Sequence, residues 1–156
     1  SVSTIAIGGT NLTSLKAADN TSNFYVLAQG SFSTNYQVFL DTDNNSTGSN
    51  EYTSSSWSST GFNYMIENGT LYQYTGTGSS WSWSSLGGIT AVKNSSVLEL
   101  SVSKSSLGIS GSFVRVAVAS LNSGYSMVGS IPSGTSGAAY TIGSAGSRVT
   151  VEAPVA

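Results

Sequence analysis

The sequence predicts an all-β fold: a single antiparallel β-sandwich, jelly-roll or immunoglobulin-like, open to completion by a donated terminal strand. Three observations predict it. No apolar repeat of helical period runs for a useful length. Short alternating runs recur instead, separated by clusters of Gly, Ser and Asn. The 156 residues, 38% of them hydrophobic, suffice for one core and one domain spanning 1–156.

The expected strands are 2–7, 12–17, 24–30, 36–41, 62–67, 70–75, 81–86, 90–93, 97–102, 113–120, 139–142 and 148–153. Asn68-Gly69 between two β-rich runs is the sharpest local signal, because a type I′ hairpin needs positive φ at both central residues. Residues 97–102 and 113–120 read as core strands, with one helical turn over 104–108 between them. Two segments read as irregular: 43–60, a long polar loop interrupted by Tyr52 and Trp57, and 122–138, rich in Gly and Ser and expected to run over the surface. The terminal segments 1–8 and 147–156 read as strand-like tails.

Composition excludes several function classes. Only 8% of residues are charged and the net charge is −2, with Lys16, Lys93, Lys104, Arg115 and Arg148 scattered. Nucleic acid and anionic membranes need concentrated basic footprints. No apolar run approaches the length of a membrane span. Cysteine and histidine are absent, which removes disulfides, thiol chemistry and the commonest general base and zinc ligand. No Gly-x-Ser-x-Gly elbow is present, and Ser101-x-x-Lys104 lacks the partner motifs that make such a pair catalytic. A non-enzyme is expected. The start at Ser1, together with the low charge, reads as an extracellular chain whose leader has been cut away.

Three sets of residues in the body of the chain are candidate sites. Asp41, Asp43 and Asn45 alternate as oxygen donors through 41–48, which suits a hard cation such as Ca2+, with Glu51 as the further ligand. The segment departs from an EF-hand loop at Ser46 and Tyr52, and the competing reading is an Asx-rich turn. Asn-x-Ser/Thr sequons stand at Asn11, Asn20, Asn44, Asn45, Asn68 and Asn94, so N-linked glycans are expected. Trp57, Tyr72 and Tyr74 are the candidate carbohydrate platform, whereas Trp81 and Trp83 read more readily as sandwich packing. Arg115 is paired by expectation with Glu99 on a neighbouring strand.

Several runs occur in a telling order: Phe39-Leu-Asp41-Thr-Asp43-Asn-Asn45, then Tyr64-Met-Ile-Glu67-Asn-Gly-Thr-Leu-Tyr72, then Trp81-Ser-Trp83. Together they resemble the DOMON-type, family-9-carbohydrate-binding-module-like sandwich found with bacterial extracellular enzymes. The resemblance covers about residues 12–142. It implies an extracellular sugar-binding or accessory role, with the acidic loop as a calcium site. The family's opening strand is missing or reduced to 1–7 here.

Two functional readings follow. In the preferred one, the chain is a subunit of an extracellular filament, and a tail of one copy completes the sandwich of the next by strand addition. Arg148, Val149, Val151 and Ala153 form that donor strand, with Val149, Val151 and Ala153 facing inward. In the alternative, the chain is a carbohydrate-binding module that holds polysaccharide through Trp57, Tyr72 and Tyr74.

Overall fold

The computed structural model describes residues 2–143. The donor strand expected at Arg148, Val149, Val151 and Ala153 lies outside them. Among the described residues twelve strands form two antiparallel sheets. The first has the order β1-β2-β3-β9-β8: Ser3–Ile7, Leu12–Asp19, Asn23–Gly30, Val97–Ser103 and Thr90–Lys93. The second has the order β11-β10-β4-β5-β6-β7: Met127–Ile131, Phe113–Leu121, Asn35–Asp41, Tyr64–Glu67, Thr70–Tyr74 and Trp83–Gly88. β12 (Ala138–Thr141) pairs with the first half of β10. The strand-like N-terminal segment is β1, paired with β2 of its own chain.

Alternation explains the packing. Phe24, Val26 and Ala28 of β3 and Leu98, Leu100 and Val102 of β9 meet Tyr36, Val38 and Leu40 of β4 and Val114, Val116 and Val118 of β10 in one core. Burying each large apolar side chain contributes about 1.5–3 kcal/mol before the entropy of ordering is charged against it. The Asn68-Gly69 hairpin has φ of 47° and 88°, so the type I′ expectation holds. The turn expected near 104–108 is a 3-10 turn at Lys104–Ser106.

Three expectations are corrected. Segment 43–60 has little regular structure, yet it is not a solvated loop. It folds back over the outer face of the second sheet, where Trp57 and Phe62 join Phe39, Met65, Ala117, Ala119 and Leu121 in a second apolar cluster. Trp57 Nε1 donates to the Pro132 carbonyl at 2.9 Å and ties the segment down. For this reason β4 is buried on both faces. Segment 122–138 contains β11: Asn122 Oδ1 accepts from the Gly124 and Ser126 amides, and the chain reverses there. Arg115 and Glu99 stand on different sheets. The Arg115 guanidinium donates to the Gly137 carbonyl and lies 5.2 Å from the Phe113 ring centroid.

Asp19, 1% exposed, links the two sheets. It accepts from Lys104 Nζ, from the Tyr140 hydroxyl of β12 at 2.6 Å and from the Gly143 amide at 2.9 Å. Burial pushes its carboxyl upward, but these three donors overrule it and hold the pKa below 3.8. A carboxyl with a depressed native pKa contributes stability that is fully present above its unfolded value and is lost as pH falls through the native one. Asp19→Ala should therefore cost about 3 kcal/mol at neutral pH in urea denaturation. The gap between variant and wild type should narrow as the pH falls below 3.8. A gap unchanged by acid would show that the carboxylate charge is not what holds this junction.

Candidate cation site and outward-facing groove

β4 ends at Asp41, on the outer face of the second sheet and directly beneath the returning segment. The Asp41 Oδ1 accepts the amides of Asp43 and Asn44 at 3.3 and 2.9 Å, and Asp43 Oδ1 accepts that of Asn45 at 3.0 Å. The Asx turns expected from sequence are therefore present. They also aim side chains. Asp41, Asp43 and Glu51 each bring a carboxylate oxygen into one group, all within 4.8 Å of one another. Asp41 and Glu51 are 2% and 3% exposed.

Asn63, just before β5, holds this group together. Its Oδ1 accepts the Thr42 amide at 2.9 Å. Its Nδ2 faces Asp43 Oδ2 at 3.2 Å, the Asn50 carbonyl at 3.2 Å and Glu51 Oε2 at 3.0 Å. The other Glu51 oxygen, Oε1, is buried without a hydrogen-bond partner. Gly61 leaves space beside it: a Cβ there would sit 2.7 Å from the Asn45 carbonyl oxygen and 2.8 Å from Glu51 Oε1. Asn45 is exposed, and it approaches the site through its main-chain oxygen. Sequence reasoning named Asp41, Asp43, Asn45 and Glu51, and the structure brings the three carboxylates together. It missed Asn63 and Gly61.

The electrostatics are one-sided. Burial raises the Asp41 carboxyl to about 6, against the Asn44 and Asp43 amides that donate to it and with the help of the Asp43 carboxylate. Burial, followed by the adjacent Asp43 carboxylate, raises Glu51 to about 8. Among the described residues no Lys or Arg forms an ion pair with any of the three; the ion pair present is Lys104 with Asp19.

The aromatic platform does not form as expected. Trp57 and Tyr74 are each 1% exposed, because both pack under or within the returning segment and offer no ring face to a ligand. Tyr72 is half-buried beside them. Trp81, expected to pack, is 56% exposed and meets Tyr52 and Trp83 edge-on at 5.5 Å.

A groove of about 410 Å³ crosses the outer face of the first sheet instead. Two cross-strand rows form it: Lys16, Leu27, Glu99 and Val92, then Ala18, Tyr25, Ser101 and Thr90. Asn20 Nδ2 donates to the Tyr25 hydroxyl at 3.0 Å and fixes the ring.

The sequon asparagines Asn11, Asn44, Asn45, Asn68 and Asn94 are exposed and Asn20 is half-buried. None lines the groove. The Asn20 and Asn94 side chains cap the turns that bound it, each accepting two following amides.

No protein-family model and no curated protein matches the chain. Among solved structures it is similar to a carbohydrate-binding module of family 9 from Caldicellulosiruptor kristjanssonii, in complex with cellotriose. The TM-score is 0.40 and the identity 13%, over 83% of this chain and 70% of that one. No helix among the described residues is long and apolar enough to cross a membrane.

Gly61 provides a test of the site's packing. Gly61→Ala forces a methyl group against the Asn45 carbonyl and Glu51, and should cost about 1–3 kcal/mol in urea denaturation. A neutral result would mean that the segment has room to move away from Glu51.

Proposed function

We propose that the chain is a non-catalytic extracellular domain that binds a neutral polysaccharide in the groove across its first sheet. The carrying observation is the pair of cross-strand rows. Four strands at about 4.8 Å spacing give a trough roughly 14 Å long. Tyr25 and Leu27 supply an apolar floor for the faces of sugar rings. Lys16 and Thr90 at its two borders, and Glu99 and Ser101 on β9 between them, supply hydrogen-bonding groups, in keeping with ligand sites that combine apolar lining and a few polar groups. Lys16 and Glu99 offset each other, which favours an uncharged chain of sugars. The sequons at Asn20 and Asn94 lie at the rim, so glycans there would leave the floor open.

Affinity gel electrophoresis over a panel of neutral polysaccharides tests this reading. Wild type should be retarded by at least one of them. Tyr25→Ala should weaken binding about tenfold or more, near 1.4 kcal/mol, while Trp81→Ala on the other sheet should not. Loss of binding in Trp81→Ala with Tyr25→Ala unaffected would move the site to the second sheet, and no retardation by any polysaccharide would end the reading.

A second reading, a homopolymer joined by strand addition, is favoured by one observation. The run from Trp83 to Val92 carries no charge and forms both β7 and β8, the edge strands on one side of the sandwich. Leu86 and Val92 on it are 48% and 67% exposed. Natural edge strands are usually blunted by charge or cover. The filament reading comes second because β1 pairs with β2 of its own chain, so the opening strand that the C-terminal donor was expected to replace is present. Negative-stain microscopy of the wild type beside a variant lacking residues 147–156 separates the two. Fibres that disappear with the tail support the polymer; single particles in both samples remove it.

A further inference from the structure

We propose that the chain's own segment 148–153 docks in the groove of the first sheet and covers it until another ligand takes its place. The inference does not rest on the polysaccharide reading. It concerns the occupant that the chain itself carries, and its test uses no sugar.

Three observations carry it. The first is where the described residues stop. β12 is followed closely by Gly143, whose amide donates to Asp19 Oδ1 at 2.9 Å. Asp19 comes directly after Ala18, which pairs with Tyr25 at one end of the groove. The chain beyond Gly143 therefore starts beside the groove. Ser144, Ala145, Gly146 and Ser147 come first and add no bulk. The five residue steps from Gly143 to Arg148 reach up to about 17 Å. Lys16 is three residues from Asp19 along β2, about 10 Å away.

The second is charge. Lys16 and Glu99 stand in one row, two strand spacings or about 10 Å apart. Among the described residues the ion pair present is Lys104 with Asp19, so neither groove charge is matched. The sequence after Gly143 carries two charges, Arg148 and Glu152. Four extended residue steps separate them by about 13 Å, and the long Arg and Lys side chains take up the difference. Arg148 against Glu99 with Glu152 against Lys16 satisfies all four groups. The opposite direction sets like charges together.

The third is pattern. The other row of the groove, Ala18, Tyr25, Ser101 and Thr90, holds no charge. Period two gives 148–153 one face of Arg148, Thr150 and Glu152 and another of Val149, Val151 and Ala153. A segment laid along the groove turns one face toward each row, charges toward Lys16 and Glu99, valines toward Tyr25. Exposed ion pairs are individually weak, and here they set the direction. Tethering gives the segment an effective concentration on the order of millimolar, so modest contacts suffice.

The chain has no cysteine, so an introduced pair reports where the segment goes. Val151→Cys with Ser101→Cys, in the full chain under mild oxidation, should form a disulfide within the monomer, read by mass spectrometry. Ser112→Cys is the control partner, because Ser112 is exposed and its carbonyl accepts the Ile142 amide at 2.9 Å, beside the point of exit. The Ser101 pair should link about tenfold faster than the Ser112 pair. Adding Arg148→Glu should slow it about threefold, and Glu99→Lys on top should restore the rate. Thr90→Cys serves if Ser101→Cys does not fold. Equal rates for the two pairs would overturn the proposal, because the segment would then have no preferred seat. Linked dimers would overturn it too, because the segment would then serve a second copy. A rate indifferent to Arg148→Glu would equally overturn it, since the charge match would have no part in docking.

Discussion

The crowding of the Asp41, Asp43 and Glu51 carboxyl groups where the segment 43–62 meets the end of β4 is the constraint on which the second sheet's outer face depends. Asp41 closes β4 and is buried only because that segment returns above it. The same return seats Trp57 and Phe62 on Phe39 and Ala117, which gives the sheet its second apolar cluster. Two opposing terms therefore meet in one place. Apolar burial by the aromatic rings draws the segment down, and desolvation of Asp41 and Glu51 pushes it away. The network around Asn63 holds the carboxylates in register, but it adds no positive charge. A cation would turn the second term from a cost into a fastening.

This arrangement makes the two sides of the sandwich different. The second sheet spends its outer face on holding the returning segment, and its aromatic residues are largely consumed as packing. Among the described residues the first sheet has no such cover, so Lys16, Leu27, Glu99 and Val92 in one row, and Tyr25, Ser101 and Thr90 beyond the buried Ala18 in the other, keep a share of their surface open to solvent. The aromatic residue best placed to meet a ligand is consequently Tyr25, a solitary ring on an open sheet. The numerous aromatics at 52–83 mostly satisfy one another, with Tyr74 and Trp83 only 4.8 Å apart at their centroids.

Much of the fold was legible because its determinants are local. Period-two alternation located β3, β4, β9 and β10, and Asn68-Gly69 carried its own turn geometry. β11 escaped because Met127, Val128 and Ile131 are separated by Gly129 and Ser130, and because the preceding turn is built by an Asn122 side chain rather than by a familiar dipeptide. In the acidic site, Asp41 and Asp43 were readable from their spacing. Gly61 and Asn63 were not, since they reach the carboxylates only through the path of the returning chain. The groove was illegible for a related reason: residues 16, 27, 99 and 92 become neighbours through strand register alone. Trp57 and Tyr74 were misjudged because an aromatic side chain in a polar stretch carries the same letters whether it faces solvent or roofs a sheet.

The most direct test of the account's central claim is a crystal structure of the protein soaked with an oligosaccharide of a neutral polysaccharide that retards it in affinity gels. The account predicts sugar rings seated along the Lys16–Val92 and Ala18–Thr90 rows, one of them on Tyr25. Sugar bound beside Trp81 on the second sheet, with the first sheet bare, would contradict it.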